Sequence, residues 1–362
     1  FSKLGSDRAS VRTINFLQLL ISAVDINLNF VINGEPFINH LIKLNMLNMI
    51  EFYFDNVEDT SLLDSNTLTS PFAVALRSSE MHIIKLFLEY SINRDIDRSD
   101  LISQIILEFL KMLDESDFSF REPSYSWLKK IQNFGKVLLK VSEYYPVDVS
   151  ISYHDRTLID YFIADDDECL RLFSFYPIDL TGPSRELSPL YKAIILQKPK
   201  AVRVFIKSRY KQIIQLIDFI NDTLHDLLRN LSDLLLTTEN QVPTFKTAVQ
   251  IVYDLVQAIP IDMYMVEQDL TFLWLAIRSN SIDFIQFFLK NYGKEPLFLP
   301  KNPSMSPFAA AIVNGNLSII NMLLEKYGIE IIKDHYEGIN EALKSVLAES
   351  LTFNAEECIN QS

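Results

Sequence analysis

The sequence predicts an all-α protein, a solenoid of short helical hairpins that also repeats as a larger block of about 118 residues. Three observations carry this. Glycine supplies only 8 of 362 residues, about a third of the usual ~7% share, so turn-dense β folds and phosphate-cradling glycine loops have little material. Four segments align without a gap: SPFAVALRSSEMHIIKLFLEY at 70–90, SPLYKAIILQKPKAVRVFIKS at 188–208, TFLWLAIRSNSIDFIQFFLKN at 271–291 and SPFAAAIVNGNLSIINMLLEK at 306–326. With two weaker copies at 36–56 and 156–176, the positions matching Pro71 fall at 37, 71, 157, 189, 272 and 307, so short spacings alternate with long ones.

In chain order, 11–24 reads as the second helix of a partial long pair and ends in the phrase SAVDINL. The hairpin at 36–56 places Phe37 at the proline position, and the hairpin at 70–90 follows. A long helical pair spans 101–145, with periodicity through 101–113 and 125–145, and closes on YYPVDVS, where Pro146 stops the helix. The hairpin at 156–176 places Thr157 at the proline position and ends in YPIDLTG; the hairpin at 188–208 follows it. A second long pair, 209–258, is read as one helix over 209–236, about 40 Å at 1.5 Å per residue, and another over 244–258 that closes on AIPIDMY. Hairpins at 271–291 and 306–326 precede a partial pair at 336–350. The reading takes 1–362 as a single solenoid, and expects array or another domain to continue beyond one or both ends, because each end divides a block.

Each hairpin start is marked twice. Ser70, Ser188, Thr271 and Ser306 are natural N-caps, and Pro71, Pro189 and Pro307 stand at the first helical position, where a missing N–H costs nothing. Ala75, Ala193, Ala276 and Ala311 put a methyl group where helices must approach closely. Ser79, Gln197, Asn280 and Gly315 occupy the turn, where a left-handed backbone is often needed. The second helices carry apolar stripes too wide for one partner to cover, as in Ile83, Ile84, Leu86, Phe87 and Leu88, so neighbouring repeats must cover them.

These segments resemble the ankyrin-repeat family, whose signature runs Thr-Pro-Leu-His-x-Ala, a Gly turn, then Val-Val-x-Leu-Leu-Leu. About 21 residues match in each of the four copies. Ala73, Tyr191, Trp274 and Ala309 replace the family's His and most copies lack its Gly, so the repeats are divergent, and loss of the hydrogen bonds that the His makes between adjacent loops puts regular β-hairpin fingers in doubt. The resemblance implies that a partner protein touches the end of the first helix and the adjoining loop. Carried over, those positions are Lys43 and Leu44, Arg77 and Ser78, Ile195 and Leu196, Arg278 and Ser279, and Val313 and Asn314. Apolar Leu44, Ile195, Leu196 and Val313 stand out on that line, since exposed apolar residues in a row mark interfaces.

Chemistry is sought and not found. His40, His82, His154, His225 and His335 stand singly without metal-ligand spacing, Cys169 reads as a buried small hydrophobe, and Cys358 lies in a polar tail. The acidic run Asp165, Asp166, Asp167, Glu168 lacks the glycine and alternating ligands of a calcium loop and reads as a solvated turn. The reading is of a protein that is not an enzyme and takes no cofactor or metal. A formal charge of −14 disfavours nucleic acid and anionic membrane surfaces as partners. The uncharged run 302–324 is interrupted by Pro303, Pro307 and Gly315 and fails as a membrane span. Two cysteines far apart imply a reducing, cytoplasmic compartment. The expected function is a non-catalytic protein–protein interaction scaffold. Two alternatives stay open: a structural component of a large cytoskeletal or axonemal assembly, or a host-directed effector of an intracellular pathogen.

Overall fold

The computed structural model describes residues 28–57, 59–115, 124–154, 156–165, 170, 172–176, 179–182, 184–235, 242–293, 302, 305–328, 330, 333, 338–344 and 346. The partial pair at 11–24, most of that at 336–350, the run 166–168, Cys169, His335 and Cys358 lie outside them. The chain is mostly helical. It divides into two compact units, residues 1–178 and 179–362, with the boundary inside the phrase YPIDLTG. The sequence reading took the chain as one continuous array.

In the first unit a two-residue β-hairpin, β1 (Val31–Ile32) against β2 (Glu35–Pro36), precedes the helices α1 (Phe37–Lys43) and α2 (Leu47–Asn56). A short helix α3 (Ser61–Asp64) leads to α4 (Pro71–Ser78) and α5 (Met81–Asn93), then to the long pair α6 (Ser99–Asp114) and α7 (Tyr125–Val141). First helices pack on first helices, α1 on α4 and α4 on α6, while α2 packs on α5 and α5 on α7. A second small ladder, β3 (Ser152–Tyr153) against β4 (Arg156–Thr157), lies against α6 and precedes α8 (Leu158–Asp165) and α9 (Leu172–Phe175). Both ladders are antiparallel, and both are fingers of two residues a strand, the feature that the missing family His put in doubt.

The second unit has one hairpin before its long pair and two after it: α10 (Pro189–Ile195), α11 (Pro199–Gln215), α12 (Ile217–Leu235), α13 (Val242–Ala258), α14 (Phe272–Arg278), α15 (Ile282–Asn291), α16 (Pro307–Val313) and α17 (Leu317–Tyr327). Here α10 packs on α12, α11 on α13, α14 on α16 and α15 on α17. The finger before α14 is reduced to a single bridge between Glu267 and Leu270.

Local chemistry explains these boundaries. Ser70, Ser188, Thr271 and Ser306 each accept a hydrogen bond from the backbone N–H three residues on, which satisfies a free donor of the first turn. Asn45, Ser79, Gln197, Asn280 and Gly315, each eight residues past the first helical residue, all have φ between 54° and 63°. At the four of these that are not glycine the αL conformation costs roughly 1–2 kcal/mol, least for Asn. Ala75, Ala193, Ala276 and Ala311 are fully buried. The recurring aspartate phrases are turns: Asp148, Asp179 and Asp262 each accept from the backbone N–H two residues on, at 2.8–2.9 Å. Their neighbours Val147, Val149, Leu180, Ile261 and Met263 are buried, so each phrase pins an extended segment to the core. Hydrogen bonds from the side chain and backbone of Thr181 hold the Asp179 carboxyl below its usual range.

Two boundaries differ from the sequence reading. Thr157 is not the first helical residue but precedes it: its N–H and hydroxyl both bond the Asp160 carboxylate, a capping arrangement that starts α8 at Leu158. The helix read over 209–236 is two helices. Residues 209–215 continue α11 across a non-helical Arg209 (φ −132°, ψ 30°), and Leu216 separates α11 from α12. Corresponding elements of the two long blocks thus lie 118 residues apart, α5 starting at 81 and α11 at 199, α6 at 99 and α12 at 217.

Candidate functional site along the hairpin ends

The ten residues singled out on the hairpin ends occupy unequal environments. Lys43 and Leu44 are exposed, Leu44 at 69%, where α1 ends. Lys43 Nζ sits 2.5–2.7 Å from both carboxylate oxygens of Glu35 on the first finger, and that hydrogen bond draws the Glu35 carboxyl below its usual range. Arg77 is exposed at the end of α4, and its guanidinium bridges the Leu68 carbonyl to the Glu108 carboxylate on α6. Ser78 beside it is half-buried and donates to the Ala75 carbonyl at 2.7 Å.

In the second unit Ile195 and Leu196 are half-buried, not exposed, and Ser279 is buried. The Ser279 hydroxyl donates to Ala276 O and shares a hydrogen bond with Ser281, so it belongs to the turn. Arg278 donates to Asn314 Oδ1 at 2.8 Å, and Asn314 donates back to Ile277 O at 2.5 Å, which ties neighbouring hairpins together. Val313 is exposed at 37%. Of the four apolar positions on the line, Leu44 and Val313 are therefore the open ones. Ile195 and Leu196 are more covered than Leu44 although Asn45 and Gln197 take the same left-handed turn, so the turn is not what separates them.

Two clefts open on this line in the first unit. One, of about 700 Å³, runs between the first finger and the loop before α4, and takes in Lys43, Arg77, Ser78 and Asn39. Asn39 is 3% exposed; its Nδ2 donates to Thr69 O at 3.2 Å, while its buried Oδ1 has no partner. The second cleft, of about 450 Å³, lies between α4 and the long pair, with Leu76, Ile105, Phe109, Met112 and Phe134 forming an apolar floor and Arg77, Glu108 and Lys130 at its edge. Phe109 and Phe134 stack at 3.8 Å, and Met112 stays 39% exposed. Arg77 borders both clefts.

Sequence reasoning missed Asn39 and the floor of the second cleft. Asn39 stands at the third helical residue of α1, the place that Ala73, Tyr191 and Trp274 hold in other hairpins, and reading that column in the first hairpin would have found it. Phe109 and Met112 look like ordinary members of an amphipathic stripe, and only the tertiary structure opens their side of α6. It also missed Arg98, which is fully buried and makes no hydrogen bond to a carboxylate among the described residues. Arg98 donates from Nε to Ser91 Oγ at 3.1 Å, from Nη1 to Ser65 O at 2.7 Å and Asn66 Oδ1 at 2.6 Å, and from Nη2 to Leu63 O at 2.5 Å. Its guanidinium lies over the Phe72 ring at 4.9 Å, and burial pushes its pKa down. It thereby locks the α3 loop to the start of α6. Among the described residues no three His, Cys, Asp or Glu side chains come together as metal ligands could, and no helix is long and apolar enough to cross a membrane. No family model matches the chain, and no curated protein matches it.

Proposed function

We propose that the chain is a non-catalytic protein–protein interaction scaffold, a solenoid of divergent ankyrin repeats interleaved with long helical pairs, acting in a reducing, cytoplasmic compartment. The observation that carries this reading is the pair of clefts along the α1 and α4 ends, bordered by exposed Lys43 and Arg77 and floored by apolar residues. Stacked hairpins present such a face without any catalytic group. Five turns of one handedness at one register, four serine or threonine caps and four buried alanines support the repeat.

The test is capture of a partner from extract of the source cells. Lys43→Glu with Leu44→Glu places charge on two exposed residues of the line, and any carboxylate that becomes buried without a partner in the complex costs several kcal/mol. That variant is expected to lose the partner. Lys85→Glu with Ile92→Glu, matched in charge and apolar loss but on α5, is expected to keep it. Loss in the α5 variant with retention in the α1 variant moves the interface away from the helix ends.

A further inference from the structure

The long pair of the first unit outreaches the hairpin that it packs on. At 1.5 Å per residue α6, of 16 residues, runs about 24 Å and α4, of 8 residues, about 12 Å. The two helices start together, with the Arg98 guanidinium over the Phe72 ring. Arg77 at the end of α4 pairs with Glu108, and α6 continues from there to Asp114. Phe109 and Met112 therefore stand on the part of α6 that passes beyond α4, and Phe134 of α7 completes their floor by stacking on Phe109. The result is a step in the stack, the second cleft of about 450 Å³, whose apolar floor no hairpin covers among the described residues.

The matching place in the second unit is shut. At the 118-residue offset Arg77 corresponds to Ile195, Glu108 to Asp226, Phe109 to Leu227 and Met112 to Asn230. Leu227 is 1% exposed, Asp226 has Arg185 Nη2 at 3.0 Å, and the exposed position is the polar Asn230. Both long helices end against a finger. Lys111 Nζ lies 5.7 Å from the Tyr153 ring and Asp114 holds His154 and Arg156 at 2.8 and 3.1 Å, while Ser232, the counterpart of Asp114, donates to Gln268 at 2.9 Å. The end of α6 is thus anchored on its finger side and open on its α4 side. A methionine beside stacked aromatics, left open on a fixed helix, has the composition of an interface core.

Charge selects the occupant. In a chain of net charge −14, α7 carries Lys129, Lys130, Lys136 and Lys140 and neither Asp nor Glu. Lys140 pairs with Glu143 at 2.6 Å. The other three are exposed and meet no carboxylate among the described residues. Lys130 borders the step, its Nζ 4.0 Å from the Trp127 ring, and Glu108 at the edge is already taken by Arg77. The unspent charge of the rim is therefore positive, and at a Debye length of about 10 Å it outweighs the remote acidic surface. We propose that the step binds an acidic peptide segment, which sets large apolar side chains on Phe109, Met112 and Phe134 and a carboxylate against Lys130. The proposal rests on the scaffold reading and names the partner of its second cleft.

The test offers the immobilised full chain three pools of capped octapeptides: Leu and Phe mixed with Asp and Glu, Leu and Phe mixed with Lys and Arg, and Gly and Ser mixed with Asp and Glu. The first pool is expected to be retained above the other two. Its best retained peptide, titrated by calorimetry, is expected to bind about tenfold more weakly to Met112→Asn and to Lys130→Glu. Lys136→Glu, on the same helix outside the cleft, and Lys43→Glu with Leu44→Glu are expected to bind as the wild type does. Circular dichroism checks that each variant is folded, and bound peptide is expected to slow amide exchange over residues 105–112, a readout needing no substitution. Equal retention of the basic pool, retention of no pool, or wild-type affinity in either Met112→Asn or Lys130→Glu overturns the proposal. So does a wild type that dimerises in sedimentation while Met112→Asn stays monomeric, which gives the step to a second copy. Capture of a partner through Lys43 and Leu44 where no pool is retained leaves the scaffold reading standing, so the two fail separately.

Discussion

Replacing Arg98 with methionine keeps most of the aliphatic stem over Phe72 and removes every donor of the guanidinium. Ser91 Oγ and Leu63 O are the buried acceptors of that set, whereas Ser65 O and Asn66 Oδ1 are only partly buried and can turn to water. A buried acceptor left alone costs about 1–3 kcal/mol, so the two together cost roughly 2–6. Relief from holding a cation out of water offsets part of this. The expected loss is about 3 kcal/mol. For a unit of this size, 2–4 °C per kcal/mol makes that a drop of about 6–12 °C in Tm. Arg98→Lys should recover little, because a compact ammonium cannot span the acceptors that the planar fork reaches. Urea and thermal unfolding of the full chain, followed by circular dichroism, supply the measurement, with the transition of the first unit as the readout. A loss below ~1 kcal/mol, the worth of one ordinary hydrogen bond, would refute the argument that this guanidinium holds the α3 loop.

Two further substitutions test the hairpin geometry. Enlarging Ala193 or Ala276 to leucine should overpack a fully buried contact at ~1–3 kcal/mol each, and thermal melts unchanged by both would show that the helix contacts are misplaced. Gln197 holds φ at 55°, so Gln197→Gly should raise stability by ~0.5–1 kcal/mol, the relief of a left-handed side chain less the extra entropy of an unfolded glycine; a lower urea midpoint would contradict that turn.

Much of the local structure was legible in the sequence because single residues decide it. A serine before a proline specifies a capped helix start, and Ser70, Ser188 and Ser306 behave as their positions require. Alanine amid larger apolar residues marks close approach, and all four alanines are buried. The slip at Thr157 is instructive: the capping partner Asp160 stood in the sequence at the right spacing, but matching to the proline column outweighed it. The break at Leu216 had no such signal, since neither glycine nor proline occurs in 209–216, and tertiary packing sets it. Of the line of helix ends, sequence located the positions and not their exposure. Exposure is set by packing beyond the hairpin, since Asn45 and Gln197 take the same left-handed turn while Leu44 is exposed and Leu196 half-buried. Arg98 was invisible because Leu63 O and Ser65 O, which any sequence supplies, are among its acceptors, and because Ser91 and Asn66 show no sign in the sequence of facing it.

The fingers also bear on how a repetitive chain finds its own register. Similar blocks invite the wrong neighbours to pair during folding, a characteristic failure of repeat proteins. Seated on α12, the β3–β4 finger would bring His154 and Arg156 to Ser232, a hydroxyl where its proper seat offers the Asp114 carboxylate. Seated on α6, the next finger would set Glu267 near Lys111 but lose the Ser232 hydroxyl that Gln268 accepts from, meeting the Asp114 carboxylate in its place. Each tip is thus keyed to one helix by the partners that it would lose on the other. Ladders of two residues contribute little to stability, and their larger effect is to penalise a chain that has skipped a block.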